Sequence, residues 1–107
     1  SDAGDRFIYF SATDTGVGTG NRDVITDFVS GEDRIEIRRI DADTTQGGKQ
    51  FFDYIGTAAF SGTGGELRYQ QVGQTTIVQA DRDGDGAADF EIELTGRLTL
   101  QESDFFI

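Results

Sequence analysis

The chain has 107 residues, the size of one domain, with twenty Asp and Glu against nine Lys and Arg and a formal charge of −11. It has no Cys and no His, which excludes disulfides, thiolate and imidazole metal sites, thiol nucleophiles and the Ser-His-Asp triad. The acidic balance argues against nucleic acid, which needs a basic stripe, and against anionic lipid. Nine Phe and three Tyr supply bulk for one modest core, and no apolar run reaches the roughly 18 residues that membrane insertion needs. The polar, acidic start from Ser1 to Arg6 lacks the form of a cleavable leader. A carboxylate-only mechanism, with two carboxylates facing across a cleft, remains open in principle, but the chain is expected to be non-catalytic.

Fifteen glycines and no proline punctuate short apolar runs, the pattern of an all-β chain with tight turns. Phe7-Ile8-Tyr9-Phe10 is a continuous apolar run, as for a strand covered on both faces. A Gly- and Thr-rich loop over 14–22 precedes a second run, Val24 to Val29. After a turn at Ser30-Gly31-Glu32, Arg34-Ile35-Glu36-Ile37 alternates with period two. A polar loop over 41–49 leads to a short strand from Phe51 to Ile55, and Ala58-Ala59-Phe60 has the composition of one helical turn. Glu66–Gln70 and Thr75–Gln79 read as a hairpin closed near Gly73-Gln74. Phe90-Glu91-Ile92-Glu93-Leu94 is apolar on one face and acidic on the other, and Leu98-Thr99-Leu100 and Phe105-Phe106-Ile107 close the pattern.

Between two of these strands lies Asp81-Arg82-Asp83-Gly84-Asp85-Gly86-Ala87-Ala88-Asp89. Calcium takes roughly six to eight oxygen ligands and needs a sharply curved loop to gather them. With Asp81 at position one, Asp83 and Asp85 fall at three and five, Gly86 at the bend, Ala87 at the carbonyl position and Asp89 at nine. The twelfth position is Ile92, an apolar strand residue, so the flanks are strands and Glu91, Glu93 or water is left to complete the set. Two like charges about 4 Å apart repel by about 1 kcal/mol in water and about 4 kcal/mol at an effective dielectric near 20. Four carboxylates in one loop therefore call for a cation, Ca2+, over a solvated Asp-Gly turn that binds nothing.

Several segments together resemble one family. Gly4-Asp5-Arg6-Phe7-Ile8-Tyr9-Phe10 resembles a last, degenerate turn of the glycine-rich calcium nonapeptides of RTX proteins, with Ala3 in place of a glycine. The segment from Arg22 to Ile35, Ile55–Gly62, Ala88–Ile92 and Ser103-Asp104-Phe105-Phe106-Ile107 are similar to the region after those repeats in serralysin-type secreted metalloproteases. The resemblance covers essentially the whole chain and is to the C-terminal domain of that family. It implies the end of a parallel β-roll followed by an antiparallel β-sandwich-like C-terminal region, as one domain over 1–107. It implies further that Asp14 and Asp23 close the last calcium site of the roll. An uncleaved signal, Asp104, Phe105, Phe106 and Ile107, would be read by an ATP-driven type I exporter that delivers the protein outside the cell. The zinc motif H-E-x-x-H cannot exist in a chain without His. The expected neighbours are thus an upstream β-roll or catalytic domain of a longer secreted parent.

Each motif also has a structural alternative. Asp5 and Asp23 would serve as turn caps, and Asp104 with its apolar followers as an ordinary edge strand. A second functional reading is a calcium-dependent polysaccharide-binding module, with Tyr54 and Tyr69 as the candidate stacking platform.

Overall fold

The computed structural model describes residues 6–9, 15–18, 20, 22–40, 42–45, 47 and 50–107. The described strands are β1 (Arg6–Ile8), β2 (Asp23–Ile25), β3 (Arg34–Glu36), β4 (Asp53–Gly56), β5 (Glu66–Val72), β6 (Thr75–Asp81), β7 (Phe90–Thr95) and β8 (Phe105–Phe106). A 3-10 turn, Glu102–Asp104, precedes β8. The expected all-β class holds.

The strands form two sheets. One is parallel, in the order β1-β3-β8; the other has five strands, in the order β2-β7-β6-β5-β4. Within the second, β5, β6 and β7 form an antiparallel meander, while β2 joins β7 and β4 joins β5 in parallel. Parallel pairing therefore continues past the roll-like start, to β8 on β3 and to both edges of the larger sheet.

The hairpin at Gly73-Gln74 is where the sequence places it, with Gly73 at φ +60°, a conformation that favours glycine. From that turn the register runs outward through Tyr69↔Val78 and Leu67↔Ala80 to Glu66↔Asp81. Strand alternation sends Leu67, Tyr69, Val78, Ala80, Phe90, Ile92 and Leu94 to one face, where they are buried with Ile35 and Phe105 of the parallel sheet. Each fully buried Leu, Ile or Phe contributes about 1.5–3 kcal/mol, so this seam between the sheets dominates the stability. Phe52 meets Phe90 edge to face at 5.9 Å, and Tyr54 packs on Phe105 at 5.4 Å.

Four local readings are corrected. β1 is an edge strand covered on one face only: Phe7 packs against the core, while Ile8, on the opposite face, is 42% exposed. The Val24–Val29 run pairs only as far as Ile25 and then turns, bringing Phe28 onto Phe7. Ala58-Ala59-Phe60 is irregular loop, not a helical turn. Alternation would put Glu36 in solvent, yet it is buried on the central strand of its sheet, 3.4–3.8 Å from Arg6, Arg38 and Arg39. The same arginines hold β8: Arg6 and Arg38 lie 5.1 and 5.6 Å from the Phe106 ring.

The tyrosine platform is also absent. Tyr69 is 5% exposed in the core. The Tyr54 hydroxyl donates to the Leu100 carbonyl at 3.2 Å, and burial pushes its phenol up to about 12.

Candidate metal centre

β6 ends at Asp81 and β7 starts at Phe90, so residues 82–89 must turn the chain while covering the end of the sheet. Asp81 is completely buried beneath this loop. Its Oδ1 accepts the N–H groups of Asp83 and Gly84 at 3.3 and 2.9 Å, and its Oδ2 accepts that of Gly86 at 2.9 Å. Gly84 and Gly86 have φ of +79° and +82°, which curls the loop amides toward the carboxylate. Asp83 Oδ1 accepts the Asp85 N–H at 3.2 Å, Asp85 Oδ1 that of Ala87 at 2.9 Å, and Asp89 Oδ2 that of Arg82 at 2.6 Å. Each of these three aspartates thus has a second oxygen outside those loop hydrogen bonds.

One oxygen from each of Asp81, Asp83, Asp85 and Asp89 lies within 4.8 Å of the others. Calcium–oxygen distances of about 2.3–2.6 Å put opposed ligands about 4.6–5.2 Å apart, so the cluster has the span of a calcium shell. The donors are all hard oxygens, which suits this cation and not a thiophilic one. Crowding is visible in Asp83: the Asp85 N–H favours its charged form, but desolvation, Asp85, Asp89 and Asp81 together push its carboxyl above the ordinary value.

Next to this four-carboxylate group the register places another carboxylate, outside the group itself, that sequence reading missed. Glu66 stands directly opposite Asp81, and like charges in that position destabilise a sheet. It is buried, and accepts the Ser61 N–H and hydroxyl, both at 2.8 Å, fastening the 57–65 loop beside the aspartates.

The remaining sequence-derived residues lie apart from this cluster or at its rim. Ala87 is exposed within the loop. Asp23 stands at the start of β2, exposed and outside the four-carboxylate group, with its N–H donating to Thr15 Oγ1 at 2.8 Å. Asp14 and Asp5 lie outside the described residues. Glu91 and Glu93 are engaged elsewhere: Arg22 bonds both, at 3.0 and 2.9 Å. Burial opposes the Glu91 charge, but the Gln79 amide, the Gly18 N–H and Arg22 outweigh it and hold the carboxyl below its usual value. Asp104 is buried, accepting the Gly31 N–H, the Ser30 hydroxyl and the Gln101 N–H at 2.7–2.8 Å.

A sequence model for the C-terminal region of the serralysins, peptidase family M10, matches residues 1–107. The chain belongs to this family. No curated protein matches it. Serralysin-type proteins are secreted, and their C-terminal domain is the non-catalytic part.

In this serralysin C-terminal domain two glycines of the acidic loop make contrasting demands. A Cβ on Gly84 would sit 2.9 Å from the Gly62 carbonyl oxygen and 3.0 Å from the Gly64 nitrogen, whereas one on Gly86 would meet nothing within 4 Å. Gly86→Ala should therefore destabilise by about 1–2 kcal/mol, the left-handed backbone strain alone. Gly84→Ala should cost clearly more, because the two loops must also separate. Urea denaturation of both variants checks the order, and equal losses would contradict the contact.

Proposed function

We propose that this domain is the calcium-dependent folding and export module of a type I secreted RTX protein. Asp81, Asp83, Asp85 and Asp89 would hold one Ca2+ with the Ala87 carbonyl and water. The observation that carries this is the buried Asp81 with three more carboxylates gathered around it within 4.8 Å. The ion supplies the positive charge that offsets their repulsion; the chain's own part is to orient the oxygens through the loop amides. Asp14 and Asp23 would close a further site toward the preceding roll turn. β1 and β2 are the edges of the two sheets, and an upstream β-roll or the catalytic domain behind it would continue from there.

Where calcium is scarce, the −11 chain would stay loosely folded and fit an exporter channel. Outside the cell, cation binding would become folding energy. The family match supports a signal, Asp104, Phe105, Phe106 and Ile107, read by a type I exporter; since Asp104 and Phe105 are buried in the folded domain, it would be read on the unfolded chain. Deleting these four residues is expected to abolish export, scored as the secreted fraction of total protein. A secreted fraction equal to that of the parent would refute the signal.

A further inference from the structure

We propose that the concavity beside the Asp81–Asp89 loop binds a neutral polyhydroxylated molecule, one sugar unit of a glycan. It lies on the outer face of the five-stranded sheet, floored by Arg68 and Gln70 of β5 and Gln79 of β6. Ala59 and Phe60 wall it on one side and Gly86, Ala87 and Ala88 on the other, around a volume of about 370 Å³. That is at the small end of the roughly 300–1,000 Å³ typical of ligand sites.

The floor is held rigid before any ligand arrives. Arg68 Nε donates to the Ala58 carbonyl at 2.8 Å and its guanidinium to Thr57 at 3.3 Å, and its head lies 5.8 Å from the Phe60 ring. Arg68 also donates to the Gln79 amide oxygen, and Gln79 Nε2 to Glu91 Oε2 at 2.7 Å. Since Glu91 and Glu93 are bonded by Arg22, this network pairs two guanidinium with two carboxylate charges and presents no net charge. Gln70 differs. It is half-buried, and its side-chain amide has no hydrogen-bond partner among the described residues, which leaves both a donor and an acceptor for a guest.

These walls select the chemistry of the guest. An anion would approach against a −11 chain and the loop aspartates, and a cation would find no carboxylate among the lining residues. Hydroxyls match the Gln70 amide and the unused guanidinium N–H groups. The Phe60 ring and the Ala59 and Ala87 methyls match the C–H face of a pyranose. No carboxylate of the acidic loop lines the site, although its wall shares Ala87 with the proposed calcium shell.

The test is titration of the isotopically labelled chain with the methyl glycosides of glucose, galactose, mannose and N-acetylglucosamine, and with glucuronate. Amide correlation spectra are recorded in calcium and in chelator. At least one neutral glycoside should shift Phe60, Gln70, Gln79 and Ala87 saturably, and Gln70→Ala should weaken that binding about fivefold, the effect of one neutral hydrogen bond. Absence of saturable shifts in both conditions, shifts confined to another surface, or preference for glucuronate would overturn the assignment. Calcium binding is read from the Asp83 and Asp85 amides in the same spectra, so either proposal can fail alone.

Discussion

Asp81→Ala should abolish calcium-dependent stabilisation and weaken the cation-free domain as well. The side chain is fully buried and accepts from three loop amides. Each hydrogen bond to a charged acceptor contributes about 1.5–3 kcal/mol, and the orphaned N–H groups relax partly into water, so a net loss of about 3 kcal/mol is expected. Calcium at a hundred times its dissociation constant would add about 2.7 kcal/mol to the parent by linkage and nothing to the variant. Asp83→Ala separates the two effects. Asp83 is exposed and crowded by like charge, so its removal should leave cation-free stability unchanged or raised while calcium no longer shifts the melting temperature. Thermal unfolding with calcium and with chelator reads both. A calcium-induced shift retained in both variants would contradict the site.

Asp104→Ala should cost about 3 kcal/mol, since its buried carboxylate accepts three hydrogen bonds, each contributing about 1.5–3 kcal/mol before the freed donors relax. One carboxylate closes the turn at Ser30-Gly31 and the 3-10 turn at Gln101, joining segments more than 70 residues apart in the chain. Without it, Gly31 and Gln101 would lose their acceptor, and β8 its anchor beside β3. Asp104→Asn keeps the shape and one acceptor oxygen, and should lose roughly half as much. Urea unfolding of the two variants tests this; a change under about 0.5 kcal/mol for Asp104→Ala would mean a surface-like role.

What the sequence revealed was mostly local. The Gly73-Gln74 turn, the alternation of β7 and the spacing of the four aspartates each depend on neighbours within about ten residues, and all three lie where expected. Counting outward from the two-residue turn would even have placed Glu66 opposite Asp81. Burial decided by distant chain was not legible. Glu36 alternates like a solvent-facing residue, and only the fold brings Arg6, Arg38 and Arg39 around it. Glu91 looks like a candidate ligand until β2 delivers Arg22 to it. Tyr54 and Tyr69 have the amphipathic character of a platform, but β5 turns Tyr69 into the seam and β8 covers Tyr54. Asp104 carries two meanings that its sequence cannot separate: a buried clasp in the folded domain and, as we propose, part of a signal before folding.

The central claim, that calcium binding at the aspartate loop drives folding, is tested most directly by calorimetric titration of the chelator-treated chain with calcium, with circular dichroism recorded in parallel. Saturable heat together with a gain in β signal, both lost in Asp83→Ala, is the expected result. No heat up to millimolar calcium, with identical unfolding curves in calcium and in chelator, would contradict it.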